Sequence, residues 1–107
     1  RNAIRHKDLK IVMGTDAVAG AHGQNARETI YRVQVGGQPA MEAIIGTTSL
    51  AAESMGLKDK VGTIAPGMEA DLIAVDGDPL KNLGLFKDGG PHLSAIMKAG
   101  KFHKNAL

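Results

Sequence analysis

The sequence predicts an α/β chain in two parts, a short strand followed by helices up to about residue 58 and a strand-and-turn part beyond it. Three observations carry this. Leu9 to Met13 are apolar except for Lys10 and stop at Gly14-Thr15-Asp16, as a short buried strand opening into a polar loop would. Apolar residues then recur at helical spacing as far as Met55. From Val61 onward that spacing gives way to short apolar runs divided by Pro66-Gly67, by Asp76-Gly77-Asp78-Pro79 and by Ala99-Gly100.

Residues 1–8 read as the tail of a helix or a connector, ending in the charged cluster Arg5-His6-Lys7-Asp8. The strand at 9–13 delivers Asp16 at its carboxyl end, which is where α/β barrels keep their chemistry. A small-residue loop follows, Ala17 to Gln24, holding His22 and Gly23. Asn25 and Glu28 stand at the spacing of a capping box, so a helix is expected from there. Ala26, Ile30 and Val33 give that helix one apolar face, and Gly36-Gly37 ends it. Pro39 suits the first position of the next helix, where a missing N–H costs nothing. Ala40 with Ile44 and Met41 with Ile45 form its apolar pairs, Gly46 interrupts it, and Thr47-Thr48-Ser49 offers caps for a third helix at about 49–55 closed by Gly56.

Lys58-Asp59-Lys60 is a charged connector. Beyond it, Gly62 to Ile64 is expected as a short strand, and Pro66-Gly67 as a turn in the order a type II turn prefers. Ala70 to Val75 is a buried strand interrupted by Asp71, a carboxylate expected to bond nearby backbone. Asp76 to Pro79 is a turn and Leu83 to Pro91 a glycine-rich loop. Ser94 to Met97 and Lys101 to His103 pair as a hairpin through Ala99-Gly100.

Composition removes several function classes. The chain has 107 residues, 43% of them hydrophobic, with no Trp and no Cys. Its core must come from Ile, Leu, Val, Met and Ala, and neither disulfides nor thiolate metal sites are available. A net charge of +2, with basic residues dispersed to both ends (Arg1, Arg5, Lys7; Lys98, Lys101, Lys104), gives no basis for nucleic-acid or membrane binding. No apolar run reaches membrane-spanning length and no signal pattern opens the chain, so the expected compartment is the cytoplasm. The abrupt start at Arg1 suggests a fragment or a processed product.

Several motifs occur in a fixed order: Gly14-Thr15-Asp16, His22-Gly23-x-Asn25-x-x-Glu28, Gly37-x-Pro39-x-x-Glu42-Ala43-Ile44, and Thr48-x-x-x-Ala52 leading to Gly56. Val61-Gly62-x-Ile64-x-x-Gly67-x-x-Ala70-Asp71-Leu72 and Asp78-Pro79-Leu80 follow. In order and spacing, over residues 9 to 104, this resembles the C-terminal part of a metal-dependent amidohydrolase, nearest the imidazolonepropionase-like and Xaa-Pro dipeptidase-like branch. The resemblance implies the last strand and following helices of a (β/α)₈ barrel in residues 1–58. Residues 59–107 would be the C-terminal share of a small composite β-sandwich. A whole barrel needs about 250 residues. The family's His-x-His pair, its bridging lysine or glutamate and its two further histidines have no counterpart here.

In that family one or two divalent metals, here expected to be zinc, activate water and polarise the scissile carbonyl. The strand-end aspartate binds metal, takes the proton of the water and passes it to the leaving nitrogen. The resemblance assigns these roles to Asp16; on residues alone, Gly-Thr-Asp is equally a common turn with a loop-capping carboxylate. His22 either contacts substrate at the barrel mouth or orients Asp16, or is an exposed loop histidine. Asn25 and Glu28 are read as helix capping rather than catalysis, and Arg27 and Arg32 as a solvated helix face, with contact to a substrate carboxylate as the alternative. His6, His92 and His103 lack partners at ligand spacing. Asp76-x-Asp78 is not followed by a calcium-loop pattern, the glycines form no phosphate loop, and the five methionines are core filler.

The expected function is therefore the C-terminal portion of a hydrolase of amide, peptide or cyclic amide C–N bonds. It would supply Asp16 and act only with the N-terminal remainder of the barrel or a companion chain. The alternative is a non-catalytic, self-associating module, a homo-oligomer, because half a barrel leaves strand edges and apolar helix faces open.

Overall fold

The computed structural model of the chain describes residues 2–87 and 89–107. Arg1 of the amino-terminal basic group and Asp88 of the glycine-rich loop lie outside them. The elements run α1 (Asn2–Arg5), α2 (Ala26–Gln34), α3 (Ala40–Thr47), α4 (Ser49–Ser54), β1 (Leu72–Val75), a 3₁₀ turn (Leu83–Phe86), β2 (Leu93–Lys98) and β3 (Lys101–Asn105).

The core forms where α2 and α3 face one another. Ile30 and Ala43 are buried there with Leu83 of the 3₁₀ turn, and Ala26, Val33, Ala40, Ile44 and Phe86 pack around them. Burying a side chain such as Ile30 contributes roughly 1.5–3 kcal/mol. The core thus draws on both parts of the chain. Leu83 also corrects an expectation: the stretch from Leu83 is not loop throughout. It opens with a 3₁₀ turn whose Gly84 N–H is capped by the Asn82 side chain at 2.9 Å, and that turn carries an apolar residue inward.

Helix α2 begins without the expected capping box. Asn25 already has helical backbone angles (φ −59°, ψ −31°) and its side chain makes no cap bond. The preceding turn supplies the acceptors instead, since Arg27 N–H donates to the Gln24 carbonyl and Glu28 N–H to that of Asn25. Pro39 stands one position earlier than expected, at the N-cap of α3, where its carbonyl accepts the Ala43 N–H at 3.0 Å. Thr48 stands at the N-cap of α4, where its carbonyl accepts the Ala52 N–H at 2.9 Å, but neither its hydroxyl nor that of Thr47 caps the helix. Their hydroxyls donate back to the Ala43 and Ile44 carbonyls, each at 2.8 Å, a local bond that competes with continuation of α3.

Residues 9–13 are not the buried strand the sequence predicts. No ladder partner lies beside them among the described residues, Leu9 is 52% exposed, and Ile11, Val12 and Met13 are half-buried. A strand is defined by its neighbours, and here the neighbour is a helix. Met13 N–H donates to the Gly46 carbonyl at 3.0 Å. Gly46 is inside α3, not a break in it, and a Cβ there would stand 2.6 Å from the Ile11 carbonyl oxygen. Only glycine admits so close an approach of backbone to helix.

The β part is one antiparallel sheet in the order β1-β2-β3, with Leu72 opposite Met97, Ala95 opposite Asn105 and Lys98 opposite Lys101. Ala99 (φ 47°) and Gly100 (φ 76°) form the two-residue connection, both left-handed as a type I′ hairpin turn requires. Asp71 does what its position suggested: its Oδ1 accepts the Ala99 N–H at 2.8 Å, while Gly100 N–H donates to the Ala70 carbonyl. The strand expected at Gly62 to Ile64 is absent. These residues bend without a partner, and Ile64 is 87% exposed. The Pro66-Gly67 turn forms, closed by Met68 N–H to the Ala65 carbonyl at 3.2 Å with Gly67 at φ 85°. Strand β1 is half-buried rather than buried, since one edge of a three-stranded sheet and much of its face stay open.

Candidate active site

Asp16 sits three residues after Met13, whose N–H bonds the Gly46 carbonyl of α3, on the loop that leads to α2. It is exposed and has φ 44°, a left-handed conformation unusual for a residue with a Cβ. No hydrogen bond or ion pair to its carboxylate occurs among the described residues. His22 is exposed on the same loop, in a turn closed by Ala21 N–H to the Val18 carbonyl and Gln24 N–H to that of Ala21. A shallow cleft of about 260 Å³ separates this loop from the start of α2, lined among others by Gly14, Thr15, Ala17, Ala21, Arg27 and Glu28. Asp16 and His22 each adjoin lining residues in sequence, but neither lines the cleft. The structure does not join the two in one pocket.

What fixes the base of this loop is a group that sequence reading placed elsewhere. Arg32 is buried, not on a solvated helix face. Its Nε donates to Gln38 Oε1 at 2.9 Å, its Nη2 to the Ile11 carbonyl at 3.2 Å, and its Nη1 faces Glu28 Oε1 at 3.5 Å. Glu28, expected as a cap, sends Oε2 to the Gly14 N–H at 2.9 Å. One guanidinium thereby ties the segment before Asp16 to α2 and to the turn before α3. The available signal was the Glu28–Arg32 pair at i, i+4; nothing in the spacing says that it faces inward. Further out, Lys7 pairs with Glu42 at 3.1 Å and Lys10 with Glu53 at 2.8 Å, holding the connector over α3 and α4. The Lys10 ammonium, through its hydrogen bond and its charge, holds the Glu53 carboxyl below its ordinary value of 4.5.

A second, apolar cleft of about 400 Å³ lies between α2, α3 and β1, with Met13, Ala26, Thr29, Ile44, Ile73 and Phe86 on its walls. Thr29 Oγ1 is satisfied there by Thr47 Oγ1 at 3.2 Å and Met13 Sδ at 3.3 Å. No titratable side chain lines it, so the loop of Asp16 is the better candidate for chemistry.

A carboxylate oxygen suits a hard divalent cation, and the unpartnered Asp16 fits as one such donor. Protein sites for catalytic zinc use about three ligands. No group of three or more His, Cys, Asp or Glu placed to hold a metal occurs among the described residues. No helix among them is long and apolar enough to cross a membrane.

The Amidohydrolase family model matches residues 1–103. An ochratoxinase of Aspergillus niger is 34% identical over 97 residues, 90% of this chain and 20% of that protein. A crystallised amidohydrolase superposes with a TM-score of 0.84 at 34% identity, covering 94% of this chain and 24% of the other. A Xaa-Pro dipeptidase with methionine bound in its active site superposes at 0.83 and 36% identity, again over 94% and 24%. The chain thus spans about a fifth of the curated relative's length and about a quarter of the crystallised chains.

Proposed function

Because this chain belongs to the amidohydrolase family, we propose that it is the C-terminal portion of a metal-dependent hydrolase of C–N bonds, and that Asp16 is its contribution to the active centre. Residues 1–58 would close a (β/α)₈ barrel and residues 59–107 would complete a small β-sandwich beside it. The two meet through the shared core of Ile30, Ala43 and Leu83. The observation that carries the reading is the Asp16 carboxylate itself: exposed, without a partner among the described residues, and held at φ 44°. A strained backbone at a polar side chain is a mark of functional positions.

Asp16 would hold a divalent ion, zinc in the simplest case, together with ligands from the N-terminal part of the barrel. The ion's contribution when bound is Lewis-acid polarisation of the carbonyl under attack. Asp16 accepts a proton on a carboxylate oxygen from the attacking water and returns it to the departing nitrogen. His22, on the same loop, would meet the substrate. The substrate class is a small amide or peptide, supported by the Xaa-Pro dipeptidase among the similar structures.

The test pairs the chain with its N-terminal barrel portion and measures hydrolysis of dipeptides and N-acyl amino acids. Asp16→Asn should lower turnover by about a thousandfold while circular dichroism stays unchanged. Turnover retained in that variant overturns the assignment.

A second reading has its own observation. Leu9, Tyr31, Val35, Met41 and Ile45 are each more than 40% exposed. An isolated chain with these surfaces would associate with itself as a non-catalytic module.

A further inference from the structure

We propose that Glu28 is the positioning residue for Asp16, setting the course of the loop through its bond to the Gly14 amide; the proposal rests on the reading of Asp16 as the reacting carboxylate. The two Glu28 oxygens have separate tasks. Oε2 accepts the Gly14 N–H at 2.9 Å, and Oε1 faces Arg32 Nη1 at 3.5 Å. The Glu28 and Arg32 side chains are 27% and 10% exposed, so solvent screens this pair little. Arg32 in turn holds the Ile11 carbonyl and the Gln38 side chain. Met13, between the two clamped residues, is bonded to Gly46 of α3.

The backbone at 11, 13 and 14 is therefore fastened to two helices, and the last fastening before Asp16 is Glu28. Aspartate is among the few residues with a Cβ that visit the left-handed region as single residues, and the bonds on either side of Asp16 decide whether it is held there. Among the described residues, the hydrogen bonds of the loop beyond Asp16 are its own turns, Ala21 N–H to Val18 and Gln24 N–H to Ala21, so the nearest fastening to the helices lies on the Gly14 side. If that bond is lost, Asp16 can relax to an ordinary φ and its carboxylate moves. A displacement of about 1 Å at a reacting group is enough to lower a rate about a hundredfold.

The experiment uses the isotopically labelled chain itself, as parent, Glu28→Ala and Glu28→Gln. Two local signals are read, the exchange rate of the Gly14 amide and the HN–Hα coupling and Cα shift that report the left-handed Asp16. The Ala99-Gly100 hairpin serves as a remote control. In Glu28→Ala the Gly14 amide should exchange at least about tenfold faster, as loss of a charge-assisted bond requires. The Asp16 signature should disappear while the hairpin signals hold. Unchanged Gly14 and Asp16 signals overturn the proposal. Should Glu28→Ala unfold, the isosteric Glu28→Gln decides. Its single neutral oxygen cannot meet both the Gly14 N–H and Arg32 Nη1, one of which then faces an NH2 donor, and the charge assistance is gone. Accelerated Gly14 exchange with an intact hairpin therefore supports the proposal, and parent-like signals overturn it. Neither signal depends on catalysis. Failure of the Asp16 assignment would appear separately, as turnover retained by Asp16→Asn in the complete enzyme.

Discussion

Arg32 shows how much one side chain can settle. Its guanidinium is buried among Glu28, Gln38 and the Ile11 carbonyl, and each contact uses a different nitrogen. Arg32→Leu would leave three buried or half-buried acceptors without their donor, a loss of roughly 3–5 kcal/mol for breaking such a pair. A urea unfolding curve should show the midpoint falling at unchanged slope; an unchanged midpoint would mean the network is ornamental to stability. A carboxylate inside an apolar run needs a donor, and that requirement is legible from sequence even though the donor lies 28 positions away. Asp71 was expected to bond nearby backbone and does so, at Ala99. Sequence reading misplaced Glu28 and Arg32, because helical spacing tells which residues share a face but not what that face meets.

At the level of elements, the helices were legible and the first strand was not. An apolar stripe, a glycine exit and a proline entry are local properties of α2 and α3, so their existence follows from spacing. The hairpin was legible for the same reason, since Ala99-Gly100 between two short runs leaves few alternatives. Residues 9–13 fail because apolarity is only half of what a strand requires. The other half is a neighbouring ladder, and the described residues hold none. The segment instead packs on α3 at Gly46, which gives a direct test. Gly46→Ala places a methyl where 2.6 Å separates it from the Ile11 carbonyl oxygen. It should destabilise the chain by roughly 1–3 kcal/mol as an overpacking change, seen as a lower melting temperature, with the Met13 amide losing protection. An Ala variant as stable as the parent would show that the segment is free to move away.

For the whole molecule, the decisive quantity is how little is buried. No large side chain among the described residues is fully buried, and the buried apolar set is Ile30, Ala43, Ala52, Leu83 and Ala95. A domain of this length ordinarily buries well over half of its unfolded surface. Here Tyr31, Met41, Ile45 and Leu9 are exposed, and β1 and β3 are the edge strands of the sheet. Native mass spectrometry should find the purified chain as a dimer or larger, with a melting temperature that rises with concentration. A monomer at every concentration would overturn the self-associating reading and leave pairing with the N-terminal barrel portion as the account of the open faces.

The sequence by itself determined the family, through motifs in order from Gly14 to Leu80, and the succession of helices followed by a hairpin. The resemblance also marked Asp16 as the candidate site residue; on residues alone Gly14-Thr15-Asp16 is a common turn. Tertiary structure alone decided that Arg32 is interior, that Glu28 reaches Gly14, and that the apolar run lies on a helix without a ladder partner. Glu28 meets Gly14 across 14 positions, and Arg32 meets Ile11 across 21. The outcome of such encounters depends on which surfaces the folded chain brings together, a quantity that short-range spacing does not contain.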